Sequence, residues 1–179
     1  VVEPYMTGIG GDMFALLWSE KEQRLIGING SGYAGELMTM ERIGDRGKVP
    51  DEGPHSITLP GALSGWAMLL EKHGTLTLAE ALAPAIALAE QGFPVSEVTA
   101  NEWALFESKL SWDPGAKATF LVGDGRAPKV GEWFSNPDYA NTLKLIAAQG
   151  PEVLYGGELG DKIAGRVQQL GGFLTAADF

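Results

Sequence analysis

The stretch Met13–Trp18, "MFALLW", is six apolar residues without a polar break. A strand with one wet face alternates apolar and polar residues, so an unbroken run points to a strand covered on both faces. "SEKEQ" follows as a polar turn and "RLIGIN" as a second strand, and together they read as a β-hairpin. Such a hairpin requires a layer on each side of it. The glycines Gly8, Gly10 and Gly11, just before the first strand, read as a tight structural turn with positive φ.

The hairpin runs out into Gly30-Ser31-Gly32-Tyr33-Ala34-Gly35, spaced G-x-G-x-x-G like a dinucleotide-binding turn. That turn must open a helix and lead to a second parallel strand ending in an acidic residue. Asp51 and Glu52 stand about 20 residues on, near the required place. They sit, however, in "DRGKVPDEGPHSITLPG", where prolines and glycines leave no room for a buried strand. The glycines are therefore expected to serve a hairpin exit with positive φ rather than a nucleotide.

The remainder reads as mostly helical. "ELMTMERIG" suits a short helix, and residues 44–60 an irregular connection. Residues 61–73 put Leu63, Trp66, Leu69 and Leu70 on one helical face, with Gly74 as the stop. Thr77 and Glu80 form a capping box for a helix to about Gln91, stopped by Gly92 and Pro94. Ser96 caps "EVTANEWALFESKL", and Asp113-Pro114-Gly115 reads as a turn. Asn136-Pro137 starts a helix that ends at Gly150-Pro151, and a last helix covers roughly 158–169 before Gly171-Gly172. The chain thus divides into a hairpin and loop region, 1–60, and a helical region, 61–179. Its abrupt start at Val1, and the helix-start signature Thr175–Asp178 with no helix after it, suggest a piece incomplete at both ends.

Composition removes several function classes. The net charge of −10 repels nucleic-acid backbones and anionic lipid surfaces, so neither is an expected partner. With no cysteine there is no disulfide, thiolate metal site or cysteine nucleophile. That fits both cytosol and periplasm, the cytoplasm being the first expectation. No apolar run reaches the roughly 18 residues of a membrane span, and no secretory signal is visible. Histidine is confined to His55 and His73. His73 falls in the last turn of a helix, where a cation is favoured anyway. His55 lies in the 44–60 connection, the better placed of the two to reach a site. Neither H-E-x-x-H nor G-x-S-x-G occurs, and no metal site or cofactor is expected. The residues alone show no complete catalytic constellation.

Three segments carry a resemblance. "VVEPYMTGIGGDMFALLW" resembles the gamma-glutamyltranspeptidase stretch in which a "VVEP" segment meets a glycine-rich turn and a buried strand. "LPGALSGWAMLLEKHGTLTLAEALAPAIALAEQGFPVS" is similar to that family's Trp helix and its following helix. "NPDYANTLKLIAAQGPEVLYGGELGDKIAGRVQQLGGFLTAADF" is similar to its closing large-subunit segment. The segments keep the family's order and cover over half of the chain. The resemblance implies an α+β fold, the large-subunit part of an αββα sandwich of the N-terminal-nucleophile hydrolases. It implies a precursor that cuts itself, with the new terminal Thr of a small subunit as nucleophile and its α-amine, or water held by it, as base. No catalytic residue is then expected in this chain. Its partners are the small-subunit chain and a small amide substrate, and a dimer of such heterodimers is a further expectation.

In transpeptidases the strand after the hairpin turn ends in an arginine that grips the substrate α-carboxylate. The aligned position here is Ser31, and the position two residues on, where related branches place arginine, is Tyr33. The loop is expected to offer neutral hydrogen bonds from Asn29, Ser31 and Tyr33, with Tyr33 shortening the pocket. That points to the oxamate amidohydrolase branch, which releases oxalate and ammonia in purine breakdown. The alternatives are a gamma-glutamyl hydrolase or transpeptidase acting on glutathione-like amides, and a non-catalytic helical binding domain.

Overall fold

The computed structural model describes residues 1–44 and 48–179. They form two compact units: residues 1–8 with 79–147, and 9–78 with 148–179. The boundary expected at residue 60 falls inside the second of these units. No helix among the described residues is long and apolar enough to cross a membrane.

The second unit holds the hairpin. Strand β1 (Met13–Ser19) pairs antiparallel with β2 (Arg24–Gly30), Met13 facing Gly30 and Ser19 facing Arg24. The tight connection puts Gln23 at φ 50°, stabilised by its amide donating to the Glu20 carbonyl. A short α1 (Met40–Ile43) follows, and α2 (Ala62–His73) packs against both strands. Met13, Ala15, Leu17, Ile26 and Ile28 are half-buried on the α2 side. The opposite face stays open, with Phe14, Leu16, Trp18 and Leu25 between 55% and 78% exposed. The both-face burial expected from "MFALLW" is thus met on one face only. Helix α8 (Glu158–Gln169) lies beside the single turns Pro151–Val153 and Ala176–Asp178 in the same unit. Leu63, Leu154 and Leu174 are fully buried in it.

The first unit contains most of α3 (Leu78–Gln91), then β3 (Phe93–Pro94), α4 (Glu97–Leu105), α5 (Glu107–Leu110), α6 (Pro114–Phe120), β4 (Trp133–Phe134) and most of α7 (Pro137–Gln149). Its core gathers Phe93, Val95, Ala100, Trp103, Ala127 and Phe134, with Tyr5, Leu110 and Phe120 packed against them. Trp103 meets Phe134 edge-on at 4.8 Å between ring centroids.

Two expectations are corrected here. The single helix "EVTANEWALFESKL" is two helices. Ser96 does cap the first through Thr99 N–H, but Phe106 leaves helical geometry at φ −100°, ψ 1°. Its ring stacks on Tyr5 at 5.6 Å, and the next residue, Glu107, accepts from Ala127 N–H. These distant contacts take the chain out of the helix. The turn at Asp113-Pro114-Gly115 is instead the start of α6, with Asp113 Oδ1 accepting from Ala116 N–H at 2.9 Å.

Arg126 and Glu132 form a two-point ion pair at 2.7 and 3.0 Å, and Glu132 also accepts from Lys129 N–H. These donors hold the Glu132 carboxyl down to about 2. A depressed pKa stabilises the fold above the ordinary glutamate range, and that contribution is lost as pH falls through about 2. Glu132→Gln should therefore lower the melting temperature at pH 7. Melting curves should show the gap to wild type closing as the pH falls from about 4.5 towards 2.

Candidate functional site

The segment after β2 is the loop singled out in the sequence, and it lies wholly in the second unit. Asn29 Oδ1 accepts from Ser31 N–H at 2.9 Å, a local turn set by the Asn side chain. Gly32 N–H donates to Asp12 Oδ1 at 3.0 Å, and Leu59 N–H donates to the Tyr33 carbonyl at 2.8 Å. Glu36 N–H donates to Asp178 Oδ1 at 2.8 Å. The loop is therefore tied at its entry, middle and exit to three separate parts of the chain.

The glycines have a different reason from the one expected. None of Gly30, Gly32 and Gly35 is among those with positive φ. A Cβ on Gly32 would overlap the Leu59 carbonyl, and one on Gly61 would overlap the Gly30 carbonyl. A Cβ on Gly30 would sit 2.9 Å from the Met13 carbonyl oxygen, and one on Gly35 3.1 Å from that of Phe173. Close backbone approach, not left-handed conformation, requires the missing side chains. Positive φ is absent at the strand entry too. Gly8, Gly10 and Gly11 surround a turn at Ile9 and Gly10, but none is among the positive-φ glycines. The Gly11 carbonyl instead accepts from Gly61 N–H at 3.1 Å and Ala62 N–H at 2.9 Å, at the start of α2.

Asn29, Ser31 and Tyr33, the side chains read as substrate-facing, are all exposed, Tyr33 by 79%. Asn29 stands opposite Phe14 in the strand register, so it shares the open face of the hairpin. No arginine or lysine lies between Ile28 and Gly35. Arg24 is engaged by Glu22 at 2.6 Å beside the hairpin connection. A groove of about 510 Å³ follows β2 from Glu22 and Arg24 to Asn29, walled by Met68, Lys72 and His73 of α2. Arg42 lines a separate cavity of about 150 Å³ with His55, whose ring packs on Phe173 at 5.0 Å. His73 thus shares the groove that Asn29 lines, while His55 lies at the separate cavity. Among the described residues no group of three or more His, Asp or Glu is set to hold a metal.

The residues that fix this arrangement were not singled out as site residues from sequence. Tyr155 Oη donates to the Pro60 carbonyl at 2.8 Å and accepts from Ser64 N–H at 3.0 Å, pinning the entry of α2. Asp12 carried no signal beyond following the glycine turn. Asp178 was visible only as half of a capping box. Burial pushes its carboxyl up, but the N–H groups of Glu36 and Thr175 and the Thr175 hydroxyl outweigh this and hold it below the ordinary aspartate value. It is therefore ionised, and an acceptor at both oxygens, throughout the neutral range.

The model of the family described as gamma-glutamyltranspeptidase matches residues 1–179. The oxamate amidohydrolase proenzyme of Klebsiella pneumoniae is 37% identical, over 99% of this chain and 34% of its own length. The glutathione hydrolase-like YwrD proenzyme of Bacillus subtilis is 35% identical, over 100% of this chain and 34% of its own length. Among solved structures, a cephalosporin acylase from Bacillus halodurans superposes with a TM-score of 0.85 at 38% identity, covering 99% of this chain and 34% of that one. The chain thus spans about a third of the length of the curated relatives it matches.

Proposed function

We propose, from the premise that this chain belongs to the gamma-glutamyltranspeptidase family, that it is part of the large subunit of a self-processing amidohydrolase acting on a small amide such as oxamate. The nucleophile is the terminal Thr of a second chain cut from the same precursor. Its hydroxyl attacks the amide carbonyl, its α-amine takes the proton, and ammonia leaves. Water then cleaves the ester to release oxalate and restore the Thr. Backbone donors in the second chain stabilise the tetrahedral oxyanion. The second sheet of the sandwich covers the open face formed by Phe14, Leu16, Trp18 and Leu25, which completes the burial that "MFALLW" calls for.

The observation that carries the substrate reading is the loop from Asn29 to Gly35. It has no cation to pair with an α-carboxylate, and it presents the bulk of Tyr33. The relatives' names cover oxamate, glutathione and cephalosporin chemistry, so the family by itself leaves the choice open. The 35% identity to a glutathione hydrolase-like protein favours a second reading, a gamma-glutamyl hydrolase whose arginine comes from outside this chain.

Expression of the complete precursor tests the enzymatic reading. The protein should split into two chains and release ammonia from oxamate. Replacing the new terminal Thr by Ala should abolish both events, and residues 1–179 alone should show no turnover. Turnover by the isolated chain, or full activity without that Thr, contradicts the proposal.

A further inference from the structure

Thr175 and Asp178 form a capping box on the turn Ala176–Asp178. Asp178 Oδ2 accepts from the Thr175 N–H at 2.7 Å and from its hydroxyl at 2.9 Å. The other oxygen, Oδ1, accepts from Glu36 N–H, 142 residues away in the chain. At the opposite end of the loop, Asp12 Oδ1 accepts from Gly32 N–H. We propose that Asp12 and Asp178 are positioning residues that clamp the Ser31–Gly35 loop at its two ends and thereby set its reach towards the substrate. This rests on the reading of that loop as substrate-facing.

Apart from the Leu59 N–H bond to the Tyr33 carbonyl at its middle and the Asn29 turn at its entry, the loop has little to hold its shape. Ser31, Tyr33 and Ala34 are exposed, so their burial contributes nothing to its order. Gly32 and Gly35 have no side chains to pack. Their closeness to Leu59 and Leu174 supplies a wall, and the Leu59 N–H bond to the Tyr33 carbonyl ties the middle of the loop but neither end. A loop that visits other conformations binds more weakly in proportion to the time spent in them. Carboxylate acceptors on backbone N–H groups are stronger than neutral ones, and both ends of this loop carry one. The demand at Asp178 is specific to a carboxylate. Every group facing it is a donor, so an amide there would set one NH2 against either Thr175 or Glu36.

The test uses the complete, self-processed protein with Asp178→Asn, Asp12→Ala and Asp12→Asn. KM and kcat on oxamate are measured separately, alongside precursor cleavage, melting temperature and amide exchange at Gly32 and Glu36. Asp178→Asn and Asp12→Ala should raise KM about tenfold or more, with kcat within about threefold of wild type. Exchange should quicken at Glu36 in the first and at Gly32 in the second. Asp12→Asn keeps an acceptor oxygen and should stay near wild type. Quickened exchange with unchanged KM overturns the proposal, as does unchanged exchange. Equal losses in Asp12→Asn and Asp12→Ala overturn it too, because the acceptor would then be irrelevant. If Asp178→Asn does not fold, the Asp12 pair decides. A wild-type protein without amidase activity overturns the functional reading instead, and the exchange measurements then decide the clamp by themselves.

Discussion

Replacing Gly32 by alanine is expected to stop the precursor from reaching its processed form. The new Cβ would occupy the place of the Leu59 carbonyl oxygen, which is backbone and cannot rotate away. Relief requires the loop to lift from residue 59. That breaks the Leu59-to-Tyr33 hydrogen bond and the Gly32-to-Asp12 hydrogen bond together. Overpacking costs about 1–3 kcal/mol, and each lost hydrogen bond about 1 kcal/mol more, so the loss is roughly 3 kcal/mol or greater. For a marginally stable protein that is a large share of the total. Gly10→Ala is the control. A Cβ there meets nothing within 4 Å and φ is not positive, so the change should stay within about 0.5 kcal/mol. Thermal melting and gel analysis of precursor cleavage read both. If Gly32→Ala melts and cleaves like wild type, the close approach is not the reason for this glycine.

Ser31→Arg is expected to move substrate preference towards gamma-glutamyl amides. Ser31 is exposed and follows directly from the Asn29 turn, so a longer side chain can be carried without disturbing the backbone tie. A guanidinium there can meet an α-carboxylate with two parallel hydrogen bonds. Such charge-assisted bonds are worth about 1.5–3 kcal/mol, a gain of roughly tenfold to a hundredfold in relative kcat/KM. Tyr33→Ala added to it should increase the gain by clearing space. The same variants should turn over oxamate more slowly, because the arginine enters the volume of a short substrate. Kinetics on both substrates for wild type and the two variants check this. No shift in the ratio would mean that position 31 does not face the substrate.

The parts of the fold that could be read from sequence were those decided locally. The hairpin was set by an apolar run, a polar turn and a second run. Helix α7 was announced by Asn136, which accepts from Tyr139 N–H as an N-cap should. The parts missed were decided at long range. The break at Phe106 depends on Tyr5, and the β3–β4 pair joins Phe93 to Phe134 with two residues per strand. Helix α6 carried the same Asx-Pro signature as α7, but Gly115 made the segment look like a turn. The loop shows the limit most clearly. Its glycine spacing marked it as special, and the missing arginine could be counted. Its true constraint, the approach of Leu59 and Gly61 from 27 and more residues away, leaves no local trace. Asp12 and Asp178 were likewise ordinary acidic residues until the fold placed them on the loop's N–H groups.

The measurement closest to the central claim compares two reactions of the complete, processed wild-type protein. One is ammonia release from oxamate, and the other is p-nitroaniline release from a gamma-glutamyl anilide. A loop without a cation, shortened by Tyr33, predicts the higher kcat/KM on oxamate. A strong preference for the gamma-glutamyl anilide would contradict it, and would require the carboxylate clamp to come from another part of the enzyme.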